Sequence, residues 1–151
     1  MPIWDQLKTR TESLNEQLKT RKDQFRNKDF ANASMAMCAL ISAADGSIEA
    51  SERQRTAGLI ATNDVLAVFP PDQLRQKFDG YCDKLNADFD FGKVAAIAAI
   101  SKLRSKPDQA RAVISIGLII GAADGNFDAD ERKAVTEACH AVGIAPTEFD
   151  L

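Results

Sequence analysis

A chain of 151 residues has the size of one domain, at which folding removes roughly 70 per cent of the unfolded surface from water. Its 45% hydrophobic and 27% charged residues are those of an ordinary soluble globule and exclude a wholly disordered chain. The net charge of −3 divides unevenly: residues 1–30 carry seven Lys or Arg against five Asp or Glu, and the remainder twelve against seventeen. This leaves no strong basic face for nucleic acid and suits a cation or a basic partner.

The opening MPIWDQLKTR mixes acid and base before any apolar run, unlike a secretory signal, so a cytoplasmic location is expected. Along this polar segment Trp4, Leu7, Leu14, Leu18 and Phe25 recur at helical spacing, which predicts an amphipathic helix or arm over 1–28, distinct from a helical domain over 29–151. Its expected role is docking on the domain. A coiled-coil partner site or a membrane-surface anchor are the alternatives, and its few apolar positions argue against the last.

Next comes an apolar helix through Met37 to Ile41, the turn at Asp45-Gly46, and a second helix carrying Ala57, Leu59 and Ile60. Pro70-Pro71 marks a break. Leu74, Phe78, Tyr81 and Leu85 then give another helix, and FGKVAAIAAISKL over 91–103 a further one, stopping before Lys106-Pro107 because the residue preceding proline is pushed out of helical geometry. AVISIGLIIGAA at 112–123 is a core helix, far short of the roughly 20 residues that span a bilayer and interrupted by Ser115. Val135, Ala138, Cys139 and Val142 form the last predicted helix. No stretch alternates apolar and polar residues over strand length, so the expected class is all-α, with about seven helices.

An internal repeat organises these helices. A shift of 79 positions aligns AADGSIEASER at 43–53 with AADGNFDADER at 122–132, each preceded by a buried helix and followed by an amphipathic one. The expectation is two pseudo-repeated units of helix, DG turn and helix, related by an approximate twofold axis and sharing one core.

DGSIEASE and DGNFDADE resemble the second half of an EF-hand loop: an Asp-Gly turn, an apolar residue two later, and a Glu seven after the Asp. The first half is missing, since Ile41 and Ala43, or Ile120 and Ala122, stand where the earliest carboxylates belong. Calcium requires six to eight oxygens, so a tight site would need both turns together. A second reading uses the same residues for capping. Gly46 and Gly125 would terminate the preceding helices, Glu49 or Asp128 would begin the following ones, and Glu52 or Glu131 would reach back to a cap amide. Asp88 and Asp90 similarly extend the acidic surface or cap the next helix.

These elements together resemble the tellurite resistance protein TerB family. The resemblance rests on the K-x-F element at Lys28–Phe30, DGSIEASE, FDFGK at Phe89–Lys93, DGNFDADE and the closing EFDL at Glu148–Leu151, in the family's order through essentially the whole chain. It implies a single all-helical bundle with an acidic face and no enzymatic activity. The implied role lies in tellurite resistance and stress response, through metal sensing or binding. The implied ligands are Asp45, Glu49, Glu52, Asp124, Asp128 and Glu131, for a divalent cation, calcium foremost. Ser51 stands where the second copy has Asp130, so the first turn is expected to be the weaker site. The implied partner is an integral-membrane tellurite-resistance protein, which would hold the chain at the inner face of the membrane without a transmembrane segment of its own.

The alternative is an interaction scaffold whose acidic turns are only helix caps. Enzyme signatures are lacking: there is no Gly-rich phosphate loop, HExxH or GxSxG. Thiols react with tellurium oxyanions, but Cys38, Cys82 and Cys139 are widely spaced, there is no CxxC, and Cys38 and Cys139 lie in apolar helical stretches where cysteine packs as a small hydrophobe.

Overall fold

In the computed structural model, residues 12–13, 16–18, 25–123 and 127–151 are described, and among them there is helix and no strand. Six full helices follow the short helical stretches at 12–13 and 16–18: α1 (Lys28–Ser42), α2 (Ala50–Thr62), α3 (Pro71–Ala87), α4 (Phe89–Ser101), α5 (Pro107–Ala122) and α6 (Ala129–Val142). Single 3-10 turns at Leu66–Val68 and Pro146–Phe149 complete the described chain. The α5 and α6 helices each start 79 residues after α1 and α2, the offset of the sequence repeat.

The helix ends follow from local chemistry. Asn27 accepts from the Phe30 amide at 2.9 Å and starts α1, while its Nδ2 donates to Gln109 at 3.0 Å and ties the starts of α1 and α5 together. Pro71 and Pro107 occupy the first positions of α3 and α5, where a missing amide hydrogen costs nothing. Asp88 caps α4 through the Phe91 amide, and α6 ends on Gly143 in the left-handed conformation at φ 74°.

Helix α1 is the axis of the bundle and contacts each of α2 to α6. This placement follows from its sequence: from Ala33 to Ile41 every residue is buried, as expected of a helix apolar on all sides. The α5 helix, equally apolar, crosses it closely; a Cβ on Gly117 would lie 2.7 Å from Met37 Cγ. The α3 and α4 helices form an even tighter hairpin, since a Cβ on Gly92 would lie 2.6 Å from the backbone nitrogen of Leu85.

The described apolar residues of the leading segment pack on this core. Phe25 is 1% exposed and stacks on Phe30 with ring centroids 4.8 Å apart, and Leu18 is buried in the same cluster. The Phe25–Phe30 contact thus crosses the expected boundary at residue 28. Trp4, Leu7 and Leu14 lie outside the described residues.

All three cysteines are free and buried, and burial pushes each thiol up, Cys38 and Cys82 to about 12 and Cys139 to about 11. They are core residues without thiolate character. Among the described residues no helix is long and apolar enough to cross a membrane.

Candidate functional site

The first DG turn closes the bundle where α1 ends. There the α1 cap residue Ala43 is followed by Gly46 at φ 114°, a conformation side chains rarely adopt, and the Gly46 amide donates to the Ala43 carbonyl at 2.9 Å. Ile48 is buried and pinned from the side by Asn86 of α3, whose Oδ1 accepts from the Ile48 amide at 3.0 Å while its Nδ2 donates to the Ile48 carbonyl at 3.2 Å. Arg53 fixes the following helix to α3 through Asp79 at 3.0 Å and Asp83 at 2.9 Å. The loop is thus held on a rigid frame that leaves its carboxylates outward.

In the second unit Asp124, Gly125 and Asn126 lie outside the described residues. Just beyond them Asp128 and Glu131 cap α6 reciprocally: Asp128 Oδ1 accepts from the Glu131 amide at 2.8 Å, and Glu131 Oε1 accepts from the Asp128 amide at 3.4 Å. The first unit lacks this arrangement. Glu49 occupies the corresponding cap position with no side-chain bond to the helix, and Asp45 Oδ1 accepts from the Ser47 amide at 3.5 Å. Side-chain capping therefore describes the second turn, whereas in the first Glu49 begins the helix by position alone, without a side-chain bond.

Between the units lies a cleft of about 350 Å³. It is bordered by Asp45 and Glu52 from the first and by Asp128 and Glu131 from the second. Its floor is apolar, with Ile41, Ile120 and Gly121; a Cβ on Gly121 would come within 3.1 Å of both Ile41 and Phe127 and 3.3 Å of Glu131 Oε2. Glycine there lets the second turn's carboxylate lie down onto the cleft. Ser42 and Thr56, hydrogen-bonded to each other at 2.9 Å, and Arg55 complete the wall.

Electrostatically the first turn is under load. Partial burial raises the Glu52 carboxyl above its ordinary value, the charges of Asp45 and Glu49 raise it further, and Arg55 opposes them. Four of the six residues expected to hold metal, Asp45, Glu52, Asp128 and Glu131, thus border one cavity, and Glu49 acts on it through its charge. Even so, among the described residues no three Asp, Glu, His or Cys form a ready-made ligand set for a metal ion.

Asp130 does not join them. It faces a separate hollow of about 90 Å³ with Lys93, Lys133, Glu137 and Phe89. The extra acid expected to make the second turn stronger belongs to another surface, and Asp128 and Glu131 are engaged in the cap. The less committed acids are those of the first turn. Arg55, Thr56 and Asn86 carry no signal in the sequence, because each acquires its place only when α2 and α3 pack beside the turn.

The family model described as tellurite resistance protein TerB matches residues 31–151. Among curated proteins, the tellurium resistance protein TerB of Alcaligenes sp is 25% identical over 118 residues, covering 78% of this chain and 97% of that protein. No solved structure matches at a comparable level of significance.

Proposed function

This chain belongs to the tellurite resistance protein TerB family, and on that premise we propose that it serves in tellurite resistance and stress response as a non-enzymatic, metal-responsive adaptor. Asp45 and Glu52, supported by Glu49, would hold a divalent cation at the cleft, with Asp128 and Glu131 completing the acidic wall and Asp124 included by its place in the repeat. Calcium is the first choice because the available donors are carboxylate oxygens and backbone carbonyls. When bound, such a cation would offset the crowded negative charge and join the two repeat units. The partner that reads this change would be a protein, with an integral-membrane tellurite-resistance protein as the candidate.

One observation carries the reading: burial first, and then the charges of Asp45 and Glu49, raise the Glu52 carboxyl above its ordinary value, on a cleft shared with Asp128 and Glu131. A fold that needed only helix caps would have no reason to crowd uncapped carboxylates in the first turn. The rival reading, an interaction scaffold with structural turns, draws support from the reciprocal cap at Asp128 and Glu131. A thermal melt in calcium, magnesium, manganese and zinc separates the two. Stabilisation that saturates with one of these ions, and that disappears in Asp45→Asn, supports the adaptor; no stabilisation by any of them leaves the scaffold.

A further inference from the structure

The FDFGK element of α4 is almost fully explained by the fold. Gly92 permits the tight α3–α4 hairpin, Lys93 is ion-paired with Glu137 of α6, and Phe89 packs partly against the core. Phe91 is the exception: it is 71% exposed. One helical turn later Val94 is 67% exposed, and these are the two large hydrophobic side chains left in solvent among the described residues. The same face continues through half-buried Ala95 and exposed Ala98. An apolar strip along one helix is a different feature from the scattered single exposures that any surface carries.

We propose that this outer face of α4 is a self-association surface on which a second copy of the chain seats antiparallel. Its charge pattern selects that occupant. Exposed Asp88 and Asp90 flank Phe91 at one end of the strip, and exposed Lys102 ends it at the other. When two copies are turned end to end about a twofold axis, each acidic end meets the partner's lysine, so the surface is complementary to itself.

The side-chain sizes agree with this pairing. The midpoint between Asp90 and Lys102 falls at position 96, so Val94 of one copy lies opposite Ala98 of the other, large against small. The Phe91 ring then reaches over the partner's small residues toward Ser101, and the alanines let the two helix backbones approach closely. An unrelated partner helix would have to bring the same reversed dipole and the same spacing of small residues. A strip this short buries little area, so the dimer belongs to the weak class below about 1,200 Å² and forms reversibly as concentration rises.

Sedimentation velocity on the full chain, in a concentration series up to about 1 mM chosen for a weak interface, tests the proposal. The expected result is a reversible dimer that weakens with added salt, because its end charges are exposed. Phe91→Ser should reduce the association constant by about 30-fold, as loss of an aromatic anchor does, without lowering the melting temperature of the monomer. Asp90→Lys and Lys102→Glu should each self-associate poorly, and an equimolar mixture should dimerise better than either alone, since every end then meets its opposite. The proposal is overturned by a chain that stays monomeric throughout, by a dimer indifferent to Phe91→Ser, or by a mixture no stronger than its components. It is equally overturned if Phe91→Ser destabilises the monomer, which would mean that the chain covers this face itself.

Discussion

The charge crowding at the first DG turn makes Glu52→Gln the most informative substitution. A carboxyl whose folded-state value is raised binds its proton more tightly folded than unfolded. Its contribution to stability is therefore complete below its ordinary value of 4.5 and is lost as pH rises through the folded value. At neutral pH the ionised group is consequently a net cost. Burial and two like charges act against it and one arginine acts for it. Near-surface charge pairs are each worth about 0.2 to 0.5 kcal/mol, so after screening the net penalty is about 0.5 kcal/mol. Without added metal, Glu52→Gln should melt about 1 to 2 °C above the unsubstituted protein at pH 7, and the gap should close as pH falls toward 4.5.

With calcium the order reverses. For a dissociation constant on the order of 10 μM, calcium at about 100 times that value stabilises the unsubstituted protein by roughly 2.7 kcal/mol, or about 5 to 10 °C. Losing a carboxylate ligand worth about 2 kcal/mol weakens binding thirtyfold and leaves roughly 0.9 kcal/mol, about 2 to 3 °C. Differential scanning calorimetry at several pH values measures both effects. A metal-free melting point lowered by Glu52→Gln would refute the crowding argument, and an equal calcium response in the two proteins would remove Glu52 from the site.

Other consequences of the structure are independent of metal. Asp128→Ala removes a formed cap and should cost about 0.5 to 2 kcal/mol by urea denaturation, whereas Glu49→Ala, which has no cap bond to lose, should not destabilise. Gly92→Ala drives a methyl into the Leu85 backbone and should cost about 3 kcal/mol, visible as a melting point lowered by roughly 6 to 12 °C. Phe25→Ala, or a truncation that removes residue 25, should cost about 3 to 5 kcal/mol because that ring is buried against Phe30; a loss below about 1 kcal/mol would make the segment an appendage. The three thiols should remain unreactive toward a disulfide reagent until the chain unfolds, since burial suppresses the thiolate of each.

Sequence alone determined the helical class, the repeat offset and the main helices, because these depend on periodicity and on residues that act within one turn of the chain. Asn27, Asp88 and Asp128 bond their own neighbours, Pro71 and Pro107 start helices, and α1 and α5 are apolar all round, so each is legible locally. What the acids do was decided by packing. Glu49 and Asp128 occupy equivalent repeat positions, yet only Asp128 caps its helix. Asp130, adjacent in sequence to the acids of the cleft, turns to the other side of α6. Arg55, Thr56 and Asn86 reach the first turn only because α2 and α3 lie beside it, and the exposure of Phe91 depends on the α3–α4 crossing that Gly92 permits. Local hydrogen bonds and helical periodicity are written in consecutive residues, whereas a cleft and an outer face are set by how close two helices can come. Here that distance is fixed by the glycines at 92, 117 and 121 together with the side chains they meet across the bundle.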